Sequence, residues 1–486
     1  MKPLIVVENP KRWPLEIESV EVVAAKTYLV DRRFSEMRRV AVYNLCRRLG
    51  YQSLGYYVSL LATARGHRPL PDVATAQALG QAPLLKAASE DLEAEMQRSL
   101  GRLRSDAFTL SIYFGRNVAA RYDRLARALF NHFPAPFLIA RFAKNGEEWR
   151  LAGLRLGAAS DIPDSHRDFV IARAGEYFAK RSPLKAPAAG PRYDLAVLWS
   201  PDEPNPPSDE RAIRRFVKAA ARHGIGAEVI GPEEYGRLAE YDALFIRETT
   251  YVNHHTYRFA TRALAEGLVV IDHPESIIRA TNKVYQAELF ARHGIPHPRT
   301  HVFHDGSASE LVERVGLPCV LKKPDGAFSI GVVRVATPEE AAERLTALLA
   351  ESELVLAQEF TPSDYDWRIG VLDKRPLFAA RYHMVRGHWQ IASHGNRTSR
   401  FGRVEAVALA DVPESVVSVA VRAASLFGEG LFGVDVKAVD GRVLVMEVND
   451  NPNLDAGLED GVEKSRLWDA IADWFRVRLD GRGNGP

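Results

Sequence analysis

The sequence predicts a chain of mixed α/β and α+β class with a separate N-terminal domain, and three observations carry that prediction. Strand and helix signals alternate over residues 195–271. Two glycine-bearing hairpin signals lie at 319–335 and 432–449, and the second ends in polar residues. Before them lies Arg181-Ser-Pro-Leu-Lys-Ala-Pro-Ala-Ala-Gly-Pro-Arg192, a proline-rich run with no helical or strand period, which reads as a linker.

The chain has 486 residues, 46% hydrophobic and 26% charged, which suits two or three globular domains. Lys plus Arg is 64 and Asp plus Glu is 62, so the formal net charge is +2. That balance supplies no global attraction to nucleic acid or an anionic membrane. Two distant cysteines, Cys46 and Cys319, exclude a disulfide scaffold and a cysteine zinc cluster and fit a reducing compartment. No apolar run approaches the roughly 20 residues of a membrane helix. Residues 1–10 lack the basic flank and apolar core of a secretory signal, so a cytoplasmic location is expected.

Before the linker, Leu4-Ile-Val-Val7 and residues 20–30 read as strands, and 37–49 and 52–64 as helices by apolar spacing. The boundary region spans 161–192, and the final 480–486 reads as a frayed tail. After the linker, Leu195-Ala-Val-Leu-Trp199, Asp242-Ala-Leu-Phe-Ile246 and Leu268-Val-Val-Ile271 read as strands, with helices at 210–223 and 256–266. This rhythm implies a small parallel sheet, whose ligands sit beyond the carboxyl ends of its strands. Arg247 follows one such end and stands as a candidate substrate contact or a surface charge.

Five stretches carry candidate chemistry. Arg279-Ala-Thr-Asn-Lys283 opens a helix that Thr281 or Asn282 can cap; Lys283 in its first turn opposes the helix dipole, a conflict that an anion would relieve. In the hairpin at 318–335 the loop can lie over phosphates: Lys322 supplies charge, Ser329 can donate, and Gly326 and Gly331 permit close approach. The strand Leu354-Val-Leu-Ala-Gln358-Glu359-Phe360 can offer backbone to a purine edge, and Asp366 can take ribose hydroxyls; a plain strand end followed by a charged loop explains the same residues. Residues 374–403 hold Lys374, Arg375, Arg381, Arg386, Arg397, Arg400 and Arg403 and no acid. Such an excess wants an anion, and a small one ranks above single-stranded nucleic acid despite Tyr382 and Trp389.

The fifth stretch is the most specific. Phe432-Gly-Val-Asp435-Val-Lys437 turns at Asp440-Gly441 into Val443-Leu-Val-Met-Glu447-Val-Asn449. Residues two apart share a strand face, so Glu447 and Asn449 lie together and Asp435 can join them from the partner strand. Two carboxylates and an amide oxygen suit Mg²⁺, which leaves positions for phosphate and water.

In this order the stretches resemble the ATP-grasp superfamily, most closely the RimK-type branch of glutamate-adding ligases, over about residues 193–475. The resemblance implies a small parallel α/β subdomain over 193–275 and a catalytic domain over 276–479, in which two antiparallel-sheet subdomains sandwich ATP. It implies that Lys283 and Lys322 contact the nucleotide phosphates, that Glu359 and Phe360 present backbone to adenine, and that Asp366 meets the ribose side. Asp435, Glu447 and Asn449 would hold two Mg²⁺, with Mn²⁺ as the alternative ion. Arg368 and Arg400 are the candidates for a phosphate clamp, with Arg381 ranked after them. Where the family carries an Arg-Ser-Asn-like element, this chain reads His394-Gly395-Asn396, and Asn396 is matched to it. Residues 1–160 look like the RimK-like ATP-grasp N-terminal domain, for which acceptor selection is hypothesised.

The activity implied joins a carboxylate to an amine through an acyl phosphate, adding glutamate or another amino acid to a peptide, protein or small molecule. A phosphotransferase or thiol ligase on the same scaffold, and a nucleotide-responsive module without catalysis, stand as alternatives. A homo-oligomer is left open by the sequence.

Overall fold

The computed structural model describes residues 2–482 except 14, 18–19, 39, 80–91, 147, 180–190, 306, 326–330, 386–387 and 395–398. The chain divides into two units, residues 1–189 with 233–240, and residues 190–232 with 241–486.

The first unit holds a parallel sheet of β1 (Lys2–Val7), β2 (Glu21–Ala24), β3 (Val40–Asn44) and β4 (Arg68–Leu70), in the order β2-β1-β3-β4. An antiparallel sheet follows, of β5 (Ala107–Tyr113), β6 (Phe137–Asn145) and β7 (Glu148–Leu156). Two local expectations are corrected here. Residues 20–30 are not one strand, because β2 gives way to the helix Ala25–Val30, whose Ala25 and Tyr28 point inward. Residues 37–49 are not a helix: Val40–Asn44 is a strand buried on both faces, whose unbroken apolar run suits either structure. The boundary region is shorter than 161–192. Arg167–Ala179 is a helix whose Val170, Ala174 and Phe178, four apart, enter the unit's core. Of the proline-rich run, residues 181–190 lie outside the described residues.

The second unit stacks three sheets in chain order. Strands β8 (Tyr193–Leu198), β9 (Ile225–Ile230), β10 (Ala243–Ile246) and β11 (Val269–Ile271) form an all-parallel sheet ordered β11-β10-β8-β9. The half-exposed β9 escapes the sequence reading because its apolar residues do not run on. One face of this sheet packs on the helix Ser465–Arg482 through Trp468, Ile471 and Phe475. That helix runs through Arg482, so the tail expected over 480–486 is helical in its first part.

The second sheet is antiparallel, β12 (Thr300–Phe303), β13 (Cys319–Lys322), β14 (Val332–Val335) and β15 (Val355–Glu359), ordered β12-β15-β13-β14. The third is also antiparallel: β16 (Tyr365–Leu372), β17 (Arg375–His383), β20 (Val404–Val407), β21 (Leu431–Val439) and β22 (Arg442–Asp450), ordered β20-β17-β16-β21-β22. Between β17 and β20, β18 (Ala392–His394) and β19 (Ser399–Phe401) pair with each other. The helix Glu414–Ala424 covers one face of the third sheet with Val416, Val419, Ala420 and Ala423, leaving the opposite face for polar residues. Asp440 and Gly441 both take positive φ (52° and 77°), the geometry that a two-residue hairpin turn requires; the register this starts, with Val439 opposite Arg442, shifts by one at a bulge between Asp435 and Val436, which brings Asp435 opposite Glu447.

Candidate active site

A cleft of about 880 Å³ lies in the second unit, lined from the second and third sheets, the start of the helix Lys283–His293, and the loops at 204–209, 249–251 and 451–459. Its chemistry is set by strand alternation. On β21 and β22, Asp435 pairs with Glu447 and Gly433 with Asn449, so the three predicted oxygen donors share the cleft face. Asn449 Nδ2 donates to Asp435 Oδ2 at 3.2 Å. From β16, Arg368 grips Asp435 with two donors, Nε on Oδ1 and Nη2 on Oδ2, the latter at 3.0 Å. This bidentate pair is stronger than a single hydrogen bond and orients the carboxylate. Gly433 makes room for it, since a Cβ there would stand 3.0 Å from Arg368 Cδ and 2.7 Å from Pro452 Cβ.

The helix Lys283–His293 is capped by Asn282, whose Oδ1 accepts from Tyr285 N at 3.0 Å. Lys283 Nζ reaches Glu447 Oε1 at 3.0 Å, so within the protein the anion that offsets this first-turn lysine is Glu447. Gln286, nearly buried and one turn on, holds Glu447 and Asn449 in place through the residue between them. It donates to Val448 O at 3.0 Å and accepts from Val448 N at 2.8 Å. Lys322, at the end of β13, donates to Gln358 Oε1 at 2.7 Å, and Gln358 in turn donates to Thr300 Oγ1 at 3.1 Å. Asp366 pairs with Lys437 at 2.6 Å.

Burial and neighbouring charge tune these groups. Burial pushes the Asp435 carboxyl above its usual range against the pull of Arg368. Burial acts the same way on Glu447, but Lys283 and Lys322 outweigh it and hold that carboxyl below its usual range. Burial also lowers the Lys322 ammonium to about 8, with Glu447 opposing the shift. Burial raises Asp450, beside the donor set, to about 7.

The structure brings together Lys283, Lys322, Gln358, Glu359, Phe360, Asp366, Arg368, Asp435, Glu447 and Asn449 along one cleft. The N–H groups of Glu359 and Phe360 donate to Arg299 O and Pro318 O, so their carbonyl oxygens are what they can offer a ligand. Gly326, Ser329, Asn396, Arg386 and Arg397 lie outside the described residues, and Arg400 is placed only as a backbone position on β19, opposite Ser393.

Two expectations are corrected. Arg247 does not reach the cleft. It is fully buried and donates to Ser208 Oγ at 3.0 Å, Pro207 O at 2.6 Å, Pro452 O at 2.8 Å and Asn451 Oδ1. Its donors are spent on tying the loop after β22 to the loop after β8. Arg381 faces the opposite side of the third sheet from Tyr382. It lies over the rings of Tyr365 and Trp367 at 5.1 and 4.8 Å, because β17 alternates and the cleft takes the even-numbered position.

Sequence reasoning missed Lys437, Gln286, Tyr382 and Glu459 as parts of the site. Lys437 had a signal, two residues beyond Asp435. Tyr382, whose hydroxyl bonds Glu459 and whose ring centroid lies 4.7 Å from the Arg368 guanidinium, is joined to its partner across 77 residues, so no local pattern announces it.

A model of the RimK-like ATP-grasp domain matches residues 280–464, and a model of the RimK-like ATPgrasp N-terminal domain matches residues 25–173. The chain thus carries a RimK-like ATP-grasp domain and the N-terminal domain that accompanies it. It is similar to a probable alpha-L-glutamate ligase of Rhodopirellula baltica, 27% identical over 288 residues, covering 55% of this chain and 69% of that one. The ribosomal protein bS6–L-glutamate ligase of Salmonella schwarzengrund is 28% identical over 277 residues, 52% of this chain and 87% of that one. A crystal structure of D-alanine–D-alanine ligase from Bacillus anthracis aligns over 60% of this chain and 98% of that one, with 13% identity and a TM-score of 0.46. The ATP-grasp fold and the accompanying N-terminal domain expected from the sequence are borne out, and the chain is an ATP-dependent ligase. Among the described residues no helix is long and apolar enough to cross a membrane.

Proposed function

We propose that the chain is an ATP- and Mg²⁺-dependent carboxylate–amine ligase that adds glutamate or another amino acid to a peptide, protein or small-molecule acceptor. The observation that carries this reading is the joint placement of Asp435, Glu447 and Asn449 on one cleft wall, beside Lys283 and Lys322.

The donor set fits a divalent ion. Among the described residues no cluster of three His, Cys, Asp or Glu side chains could hold a metal, so a site here needs the Asn449 amide and oxygens from substrate. Two carboxylates with one amide suit Mg²⁺, which keeps positions for phosphate and water. Asn449 directs its amide nitrogen to Asp435, which leaves its oxygen for a cation. When bound, the ion screens charge on the transferring phosphoryl oxygens.

The remaining steps fall to the chain's own residues. Lys283 and Lys322 exchange their present partners, Glu447 and Gln358, for phosphate oxygens. The carboxylate substrate attacks the γ-phosphorus, the bond to the β-phosphate oxygen breaks, and ADP leaves an acyl phosphate. The amine then attacks the acyl carbon, phosphate departs with the bonding pair, and the amine loses a proton. Arg368, held flat by Asp435 and the Tyr382 ring, is positioned to stabilise the transferring oxygens.

The N-terminal unit, on this reading, selects or presents the acceptor, and removal of residues 1–180 should change acceptor choice. A phosphate-release screen of amino acids and peptides in pairs, with product masses, tests the ligase. ADP should appear only when both a carboxylate and an amine are present. Steady ADP formation with a carboxylate or an alcohol alone would replace ligation by phosphotransfer.

A further inference from the structure

A second pocket, of about 470 Å³, opens beside the cleft within the same unit, between the helix Glu210–Arg222 and the start of the helix Ser465–Arg482. Its lining carries Arg215, Lys218, Arg222 and Lys464 against one carboxylate, Asp460. Such a concentration is notable in a chain whose net charge is only +2. Asp460 is buried beneath Arg215 and accepts from Trp468 Nε1 at 2.8 Å, so it anchors the floor. Arg222 leans on Asp469 at 2.6 Å. Lys218 and Lys464 are exposed and have no ion-pair partner among the described residues.

We propose that this pocket docks a run of carboxylates on an acidic peptide segment of the acceptor, an assignment that rests on the ligase reading above. The spacing favours a peptide over a compact phosphate. Arg215, Lys218 and Arg222 stand three and four residues apart on one helix face, a row of roughly 10 Å along the axis. Alternate side chains of an extended peptide stand roughly 6.6 Å apart, so two or three acidic side chains match the row. A lone phosphate would need the cations to converge on one point. Recognition of acidic segments by clustered Arg and Lys is an established mode of peptide binding. The volume lies within the roughly 300–1,000 Å³ of small-ligand sites.

The pocket and the cleft share a wall. Asp455, Leu458 and Glu459 line the cleft, whereas Gly457, Asp460 and Gly461 of the same loop line the pocket. Glu459 bonds the Tyr382 hydroxyl under Arg368. A segment held on the outer face of this loop therefore keeps its chain end next to the site of transfer.

The test uses the full chain without nucleotide, titrated against fluorescein-labelled hexaglutamate and followed by anisotropy. Saturable binding is expected that weakens with added salt, is absent for hexaglutamine, and falls by about tenfold or more in the double variant Lys218→Glu, Lys464→Glu. That variant should bind adenine nucleotide as the parent does, because both side chains lie outside the cleft. Lys322→Met should bind hexaglutamate normally. Equal hexaglutamate affinity in the parent and the double variant would overturn the site. So would tripolyphosphate binding that needs Lys218 and Lys464 and is not displaced by hexaglutamate. No turnover is involved, so loss of ligase activity in the paired-substrate screen, with hexaglutamate still bound through these lysines, would sink the reaction and spare the pocket.

Discussion

Lys322 offers the sharpest test of the cleft, because burial brings its ammonium down to about 8 and within reach of ordinary buffers. If its charge holds a nucleotide phosphate, affinity is supported by the protonated form and lost as the pH rises through about 8. By pH 9 about a tenth of the free enzyme retains the charge, from the usual titration relation. A bound triphosphate raises the lysine's pKa, so affinity should be nearly flat between pH 7 and 7.5 and then fall by up to about tenfold per pH unit above 8. Hydrogen bonds to charged groups contribute about 1.5–3 kcal/mol, which sets the total loss at roughly 10- to 150-fold. The assay is calorimetric titration with a non-hydrolysable ATP analogue at constant saturating Mg²⁺, which keeps the analogue's terminal phosphate ionised across the range. In Lys322→Met the affinity should already be reduced at pH 7 by a factor in the same range, and it should no longer fall above pH 8. A parent protein with pH-independent affinity, or a Met variant that keeps the slope, would refute the placement of Lys322 at the phosphates.

Asp435→Asn and Glu447→Gln should each abolish turnover while leaving the melting curve cooperative; full activity in either purified variant would contradict the metal assignment. Arg247→Met should leave four buried acceptors on two loops without their donor and lower stability by about 3 kcal/mol or more, read by denaturant titration, with nucleotide affinity in the surviving folded fraction retained. Arg381→Met should cost about 1 kcal/mol of stability through the lost stacking on Tyr365 and Trp367, and keep kcat within about twofold. A large drop in kcat with the fold intact would return Arg381 to the clamp.

What the sequence made legible follows from how local each signal is. Strand alternation put Glu447 and Asn449 on one face, but Asp435 joins them because a bulge between Asp435 and Val436 shifts the register set at the Asp440–Gly441 turn by one residue; without it Asp435 would stand opposite Met446. The Asn282 cap and the start of its helix were likewise local. Arg247 was misplaced because its partners Asn451 and Pro452 lie 204 and 205 residues away, and only the folded loop shows that the guanidinium is enclosed. Arg381 was drawn into the clamp by the basic composition of its stretch, which ignores that neighbouring residues on β17 face opposite ways. Val40–Asn44 was read as helix because a strand covered on both faces carries no alternation to betray it.

The cleft's charges also explain why divalent ions and nucleotide belong together in it. Lys283 faces Glu447, Arg368 faces Asp435 and Lys437 faces Asp366, so each of these three buried carboxylates has a cationic partner, which is what makes their burial tolerable. The cleft lining carries further carboxylates, Asp450 and Glu459 among them, so it has no surplus of cations to offer. A triphosphate that drew Lys283 and Lys322 to itself would strip Glu447 of its compensation and add negative charge to this lining. Divalent ions at Asp435, Glu447 and Asn449 restore the balance at the point where it is lost. Nucleotide affinity should therefore depend steeply on Mg²⁺ in the parent chain. That dependence should weaken in Glu447→Gln, where the carboxylate left uncompensated by the move of Lys283 is no longer present.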